Sequence, residues 1–406
     1  MKFNYLLCLL FSAGLFLTSA QAANQNPLLI AQNAAVQSEA PPTLIPPPPE
    51  LDASGYVLMD EATGRILAEH NMSERLPPAS LTKLMTLYLT FQALKSGQIH
   101  MEDSVRISQK AWEMTGSRMF LKVGSFVPVD LLIQGIVVDS GNDACVAIAE
   151  YIAGDEATFA ALMNQTAERL GMKETHYVDS TGMPNDDHYT TPHDVAILSR
   201  AIIKDFPEYY HYFGQKWLTY NNIKQPNRNR LLWRDPSVDG LKTGHTQAAG
   251  YCLAASAKRD EMRLVAVVMG TPSDNARAKD AEALLNYGFR FYRTYTLFKA
   301  NVPLSRARVW MGTEKYTEFG LLEPLQVTIP VGEYKNLKAS MDLMNSPEAP
   351  LVKGQSYGNI QVTLNGQPIL STPLVALKND PRGGMWKRLT DHIALFFHGL
   401  FGGKSS

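Results

Sequence analysis

The chain is predicted to be an α+β protein in which an antiparallel sheet with helical layers is followed by a small β-rich domain and a C-terminal amphipathic helix. Apolar residues recur at helical spacing in several long segments between residues 80 and 292. Runs rich in Val, Ala and Leu at Tyr251 to Lys258 and Arg263 to Met269 flank a short polar turn, as adjacent antiparallel strands do. Beyond Lys299 the apolar runs become short and alternate with Gly and Pro turns.

At 406 residues, 45% hydrophobic and 19% charged, the chain has material for more than one domain and does not read as disordered. The 38 basic and 39 acidic residues leave a net charge of −1, which provides no field for nucleic acid. Function must therefore reside in a site.

The elements follow in chain order. Lys2, the apolar stretch Tyr5 to Leu17 and the small residues Ala20-Gln21-Ala22 fit a cleavable export signal over 1–22. Residues 23–50 close on Pro46 to Pro49 and read as a spacer. A first domain of mixed α and β is expected over 51–297. It opens with a hairpin, Tyr56 to Asp60 and Ile66 to Glu69 about Thr63-Gly64. After Pro77-Pro78 a helix is expected from Ser80 to about Lys95, apolar on most of its surface and hence a core helix. Further helices are expected at Val129 to Val138, Asp143 to Ile152, Thr158 to Leu170, Pro192 to Ile203 and Ala276 to Tyr292. Residues 298–382 read as the small β domain, with strands at Val309 to Met311, Leu325 to Ile329 and Ile360 to Leu364 and a tight Asn365-Gly366 turn. In 383–406, Trp386, Leu389, Ile393, Phe396, Phe397 and Leu400 recur at helical spacing among charges. That stretch is too short and too charged to span a bilayer, which takes roughly 20 mostly apolar residues.

Three short motifs carry the chemistry: Ser80-Leu81-Thr82-Lys83, Ser140-Gly141-Asn142 and Lys242-Thr243-Gly244. Taken singly, each has an ordinary structural reading: a helix N-cap, a turn between helices and a strand end. In order and in these contexts they point to nucleophilic catalysis. With Ser80 at a helix start, Lys83 lies one turn on; a lysine deprived of water becomes a base able to take a serine proton. Ser140 can relay a proton between Lys83, Lys242 and a leaving group, and the Asn142 amide can bind a carbonyl. Gly244 on an edge strand lets an extended peptide add as a further strand; the His245 amide is a candidate oxyanion donor beside that of Ser80.

Cys145 and Cys252 read as small buried residues, with pairing left open. His176, His188 and His193 fall in loop-like sequence without paired-ligand spacing, so neither a metal nor another cofactor is expected.

With Val238-Asp239-Gly240-Leu241 before the third motif and His245-Thr246 after it, the chain resembles the low-molecular-mass serine D-alanyl-D-alanine carboxypeptidases among the penicillin-binding proteins. The likeness runs from about Ser54 to the C-terminus and includes Asn227-Arg228-Asn229, Arg277 and Gly332 to Leu337. It implies a β-lactamase/transpeptidase-like first domain. It also implies a reaction: Ser80 attacks the penultimate D-alanine carbonyl of a peptidoglycan pentapeptide stem, terminal D-alanine leaves and water hydrolyses the acyl-enzyme. β-Lactams would trap the same serine. By the same resemblance Lys83 is the base, Ser140 the relay and Lys242 an electrostatic partner. Asn142, Thr243, Gly244 and His245 would bind substrate, while Arg228 and Arg277 read its carboxylate. The enzyme would lie on the periplasmic face of the inner membrane, held by its tail. The rival readings are a serine β-lactamase and a non-catalytic envelope-binding protein. Between the second and third motifs, none of Glu150, Glu156, Glu168, Glu174 or Glu208 has at its third and fourth following positions the Leu-Asn that follows the deacylating residue of class A lactamases.

Overall fold

Alternation along single strands builds the first domain. In Met262–Thr271, Val265, Val267 and Met269 face one core while Leu264, Ala266 and Val268 face another, so both sides of that strand are covered. In the computed structural model the described residues are 45–344 and 347–401, with side chains to 396. They lie in one unit that begins at Thr43. The expected export signal and most of the spacer fall outside the described residues.

Five antiparallel strands form the central sheet: β1 (Gly55–Asp60), β2 (Ile66–His70), β3 (Val238–Thr246), β4 (Gly250–Arg259) and β5 (Met262–Thr271), in the order β2-β1-β5-β4-β3. The chain returns from the helical region to add β3 at the edge, so the strand carrying Lys242-Thr243-Gly244 pairs only on its β4 side within this sheet.

Among the helices are α1 (Lys83–Lys95), α2 (Asn142–Ala153), α3 (Glu156–Leu170), α4 (Pro192–Asp205) and α5 (Asp274–Phe291). Asp155, Thr191 and Ser273 cap the last three, each accepting a hydrogen bond from a first-turn amide. Helix α1 is buried on nearly every face, as its continuous apolar sequence requires. It packs with α2 and α4 into the larger core, whereas α5 covers the other face of the sheet.

Three elements differ from expectation. Ser80 is not in the α-helix: Ala79–Thr82 form a 3₁₀ turn, because Ala79 takes a positive φ of 47° after Pro78 and regular α geometry starts only at Lys83. The helix expected to Val138 ends at Gln134 and widens into a π turn over Gly135–Asp139. Val309 and Trp310 are buried, yet Val309 to Met311 is not a strand: Met311 has a positive φ, and Trp310 makes an isolated bridge to Glu348.

Among the β-domain strands are β6 (Tyr292–Phe298), β7 (Ser305–Arg308), β8 (Tyr316–Gly320), β9 (Leu325–Pro330), β10 (Leu337–Leu343), β11 (Ser356–Leu364) and β12 (Gln367–Ala376). β6 pairs with β9, and the rest form a sheet in the order β7-β8-β12-β11-β10. Asn365 and Gly366 both adopt positive φ in the two-residue link between β11 and β12.

Helix α6 (Met385–Phe401) follows. Asp391 is its buried contact: it accepts from the Met311 amide at 2.9 Å and from Lys387 Nζ at 2.6 Å, with Arg308 at 3.5 Å. Trp386, Leu389, Ile393 and Phe396 on the same helix are half exposed or more.

Candidate active site

The two lysines of the motifs are almost wholly removed from water, Lys83 at 0% exposure and Lys242 at 2%. Neither is expected inside a protein without partners. Lys83 Nζ lies 2.9 Å from Ser80 Oγ and 2.6 Å from the Thr181 carbonyl. The 3₁₀ turn explains the first contact, since residues i and i+3 eclipse in that geometry. Burial pushes the Lys83 ammonium below its ordinary range, opposed by the negative charge of Asp179. A neutral amine that donates to Thr181 retains a lone pair for the Ser80 proton.

Lys242 Nζ lies 3.0 Å from Ser140 Oγ and 3.1 Å from the Thr243 carbonyl. Burial pushes it well below the ordinary lysine range, and the positive charges of Lys83 and Arg228 push the same way. Ser140 follows the π turn in the left-handed conformation (φ 58°, ψ 37°), a backbone state that L-residues rarely adopt.

A cleft of about 770 Å³ opens above these groups. Ser80, Ser140, Asn142, Thr243, Gly244 and His245 all line it, as do Arg228 and Arg277; Lys83 and Lys242 are buried behind the two serines. All ten expected site residues therefore converge. The Asn142 amide donates to the Thr115 carbonyl at 2.7 Å. A side chain at Gly244 would come within 3.0 Å of the Pro78 carbonyl and 3.2 Å of the Ser80 amide, so β3 passes directly against the serine turn. The His245 ring packs on Tyr251 with centroids 4.0 Å apart.

The arginines differ in setting. Asn227 and Asn229 turn inward, with Asn229 Nδ2 donating to the Gly240 carbonyl at 3.0 Å, and leave Arg228 exposed at the rim. Arg277 is buried; it donates to the Gly244 carbonyl at 3.0 Å and to Asp274. Asp274, the one carboxylate lining the cleft among the described residues, also pairs with Arg230 at 2.5 Å.

Cys145 and Cys252 are free and buried. Among the described residues, no group of three or more His, Cys, Asp or Glu side chains is placed to hold a metal. His188 lies in a loop as expected but is 3% exposed, with Nε2 3.0 Å from Thr82 Oγ1 and Nδ1 3.6 Å from Asp179, whereas His193 lies not in a loop but in the first turn of α4. Sequence reading missed Asp179, Thr181 and Asp139 altogether. Asp179-Ser180-Thr181-Gly182 has the composition of an Asx turn, the one local signal for that loop. Asp139 is buried with neither carboxylate oxygen hydrogen-bonded by protein; burial, then the charge of Asp143, pushes it up to about 7.

The chain matches a family model described as D-alanyl-D-alanine carboxypeptidase over residues 42–273 and one described as penicillin-binding protein 5, C-terminal domain, over 292–382. It is 44% identical over 363 residues to D-alanyl-D-alanine carboxypeptidase DacC of Escherichia coli, covering 87% of this chain and 90% of that protein. Penicillin binding protein 5 from Haemophilus influenzae aligns with a TM-score of 0.78 at 40% identity, covering 82% of this chain and 99% of that one. Penicillin-binding protein D2 from Listeria monocytogenes, in its ampicillin-bound form, aligns at 0.56 and 28% identity, covering 60% of this chain and 100% of that one.

Proposed function

The chain belongs to the D-alanyl-D-alanine carboxypeptidase family, and from that premise we propose that Ser80 is the residue that opens the D-alanyl-D-alanine bond, with Lys83 as its base. The enzyme is a serine-type carboxypeptidase and penicillin-binding protein acting on the cell wall.

The observation that carries this reading is the 2.9 Å contact between Ser80 Oγ and a completely buried lysine. In the proposed sequence Ser80 Oγ gives its proton to Lys83 and attacks the penultimate carbonyl. The oxyanion forms against the amides of Ser80 and His245, on the two abutting segments. Collapse breaks the peptide bond. Ser140, held by Lys242, passes the proton to the departing amine of D-alanine. Water then hydrolyses the ester by the reverse proton path. The edge of β3 takes the peptide as an added strand between Asn142 and Thr243, while Arg228 and Arg277 meet the terminal carboxylate.

β-Lactams would acylate the same serine. The lining carboxylate, Asp274, is already held by Arg230 and Arg277, which supports a stable penicilloyl-enzyme over lactamase turnover. The leader-like N-terminus supports export to the periplasmic face of the inner membrane. The outward apolar stripe of α6 supports peripheral attachment there.

The test is D-alanine release from a peptide ending in D-Ala-D-Ala, comparing the exported form with Ser80→Ala. Release by the former alone supports the assignment; equal release by both rejects Ser80 as the nucleophile.

A further inference from the structure

The loop that supplies the Thr181 carbonyl is tied to the serine turn through His188. Asp179 Oδ1 accepts from the amides of Thr181 at 2.6 Å and Gly182 at 2.7 Å and from Thr181 Oγ1 at 2.7 Å, which closes the loop on itself. Its other oxygen faces His188 Nδ1 at 3.6 Å, and the opposite ring nitrogen lies 3.0 Å from Thr82 Oγ1, between Ser80 and Lys83 in sequence. Tyr177 meets the imidazole edge to face at 5.7 Å, limiting its rotation. Glu156 holds the Ser180 hydroxyl at 2.6 Å, and Thr86 of α1 donates to the Ser180 carbonyl at 2.6 Å. Gly182 packs so closely that a Cβ would sit 1.8 Å from the Ala79 carbonyl oxygen.

We propose that His188, with Asp179, is a positioning residue for Lys83: it locks the Thr181 loop and the serine turn in one register, so that the Lys83 lone pair is presented to Ser80. The inference rests on the reading of Lys83 as the base. A lysine side chain has four rotatable bonds, and among the described residues Thr181 is the partner other than Ser80 to which the Lys83 amine bonds. If the carbonyl moves relative to the turn, the amine follows it away from the serine hydroxyl. Although burial pushes the Asp179 carboxyl up, His188 beside it at 3.6 Å and the bonds from Thr181 hold it well below the usual carboxylate range.

The test measures acylation of the full chain by a chromogenic β-lactam, with active sites counted from the burst, for His188→Gln, Thr82→Val and Lys83→Arg. Gln keeps a polar end toward Thr82 but lacks the second ring nitrogen that faces Asp179. The expected result is a normal site count, a noncovalent dissociation constant within about threefold of wild type and an acylation rate per site lower by about tenfold or more, as misplaced catalytic groups give. A purely structural role would lower the site count and leave the rate per site unchanged, which would overturn the proposal. Should His188→Gln not fold, Thr82→Val, close in volume, decides by the same two outcomes. Lys83→Arg acylating at the wild-type rate would reject the base reading itself, and the positioning role with it; a dead Lys83→Arg beside a normal His188→Gln rejects the positioning role alone.

Discussion

Lys242 Nζ and Ser140 Oγ meet at 3.0 Å, although 102 positions separate them in the chain. One comes from the sheet edge, the other from the junction of the π turn with α2. Their contact joins the sheet and helical regions at the point where the cleft opens. The second lysine thereby acts on the cleft through a hydroxyl and not by direct exposure.

Ser140→Gly should separate chemistry from fold. Glycine accepts the left-handed conformation without the steric cost a serine bears. The melting temperature should hold or rise by a few degrees, while the acylation rate falls about 100-fold or more through loss of the relay. Calorimetry and stopped-flow acylation measure the two; an unchanged rate would remove Ser140 from the mechanism.

Gly182→Ala should cost both stability and acylation. The added methyl meets the Ala79 carbonyl at 1.8 Å and Thr82 Oγ1 at 2.7 Å, at a φ of +85°. Left-handed strain and overpacking together amount to about 2 kcal/mol or more. Urea unfolding and burst titration should show a lower midpoint and fewer active sites; wild-type values in both would contradict the contact.

Asp139→Asn should change how stability varies with pH. The folded carboxyl titrates near 7, raised from an ordinary 3.8 by burial and then by Asp143, with Arg228 and Lys242 opposing. A raised carboxyl favours the folded state below about pH 4, and that contribution is lost as pH rises through about 7. The variant, unable to ionise there, should gain relative to wild type between pH 4.5 and 7.5, by no more than about 4 kcal/mol. An equal difference at both pH values would uncouple Asp139 ionisation from folding.

Removing residues 384–406 should abolish sedimentation with anionic lipid vesicles and leave D-alanine release in solution within about threefold. In α6 the buried anchor is polar, Asp391 on Met311 and Lys387, while Trp386 and Phe396 are 78% and 65% exposed. An apolar stripe turned outward seeks a lipid surface. Continued sedimentation of the shortened chain would place the membrane contact elsewhere.

Much of this was legible locally. The α1 core helix and the Asn365-Gly366 turn follow from periodicity and turn chemistry, and the link from Ser80 to Lys83 follows from a three-residue spacing. His188 was not legible, because nothing in its neighbours indicates that Thr82, 106 positions earlier, supplies its partner. The positive φ of Ala79, which delays α1 and tightens the Ser80 turn, was equally hidden. Pro78 accounts for the break but not for its direction.

By itself, the sequence determined which groups could react and the order in which they occur, since side-chain chemistry and short-range periodicity are local properties. Tertiary structure alone decided that Lys83 and Lys242 lose their water and are held by carbonyls and serine hydroxyls instead of standing as solvated ammonium groups. Desolvation depends on how densely other segments surround an amine, and those segments are remote: the Thr181 carbonyl on Lys83 lies 98 positions away and the Ser140 hydroxyl on Lys242 lies 102.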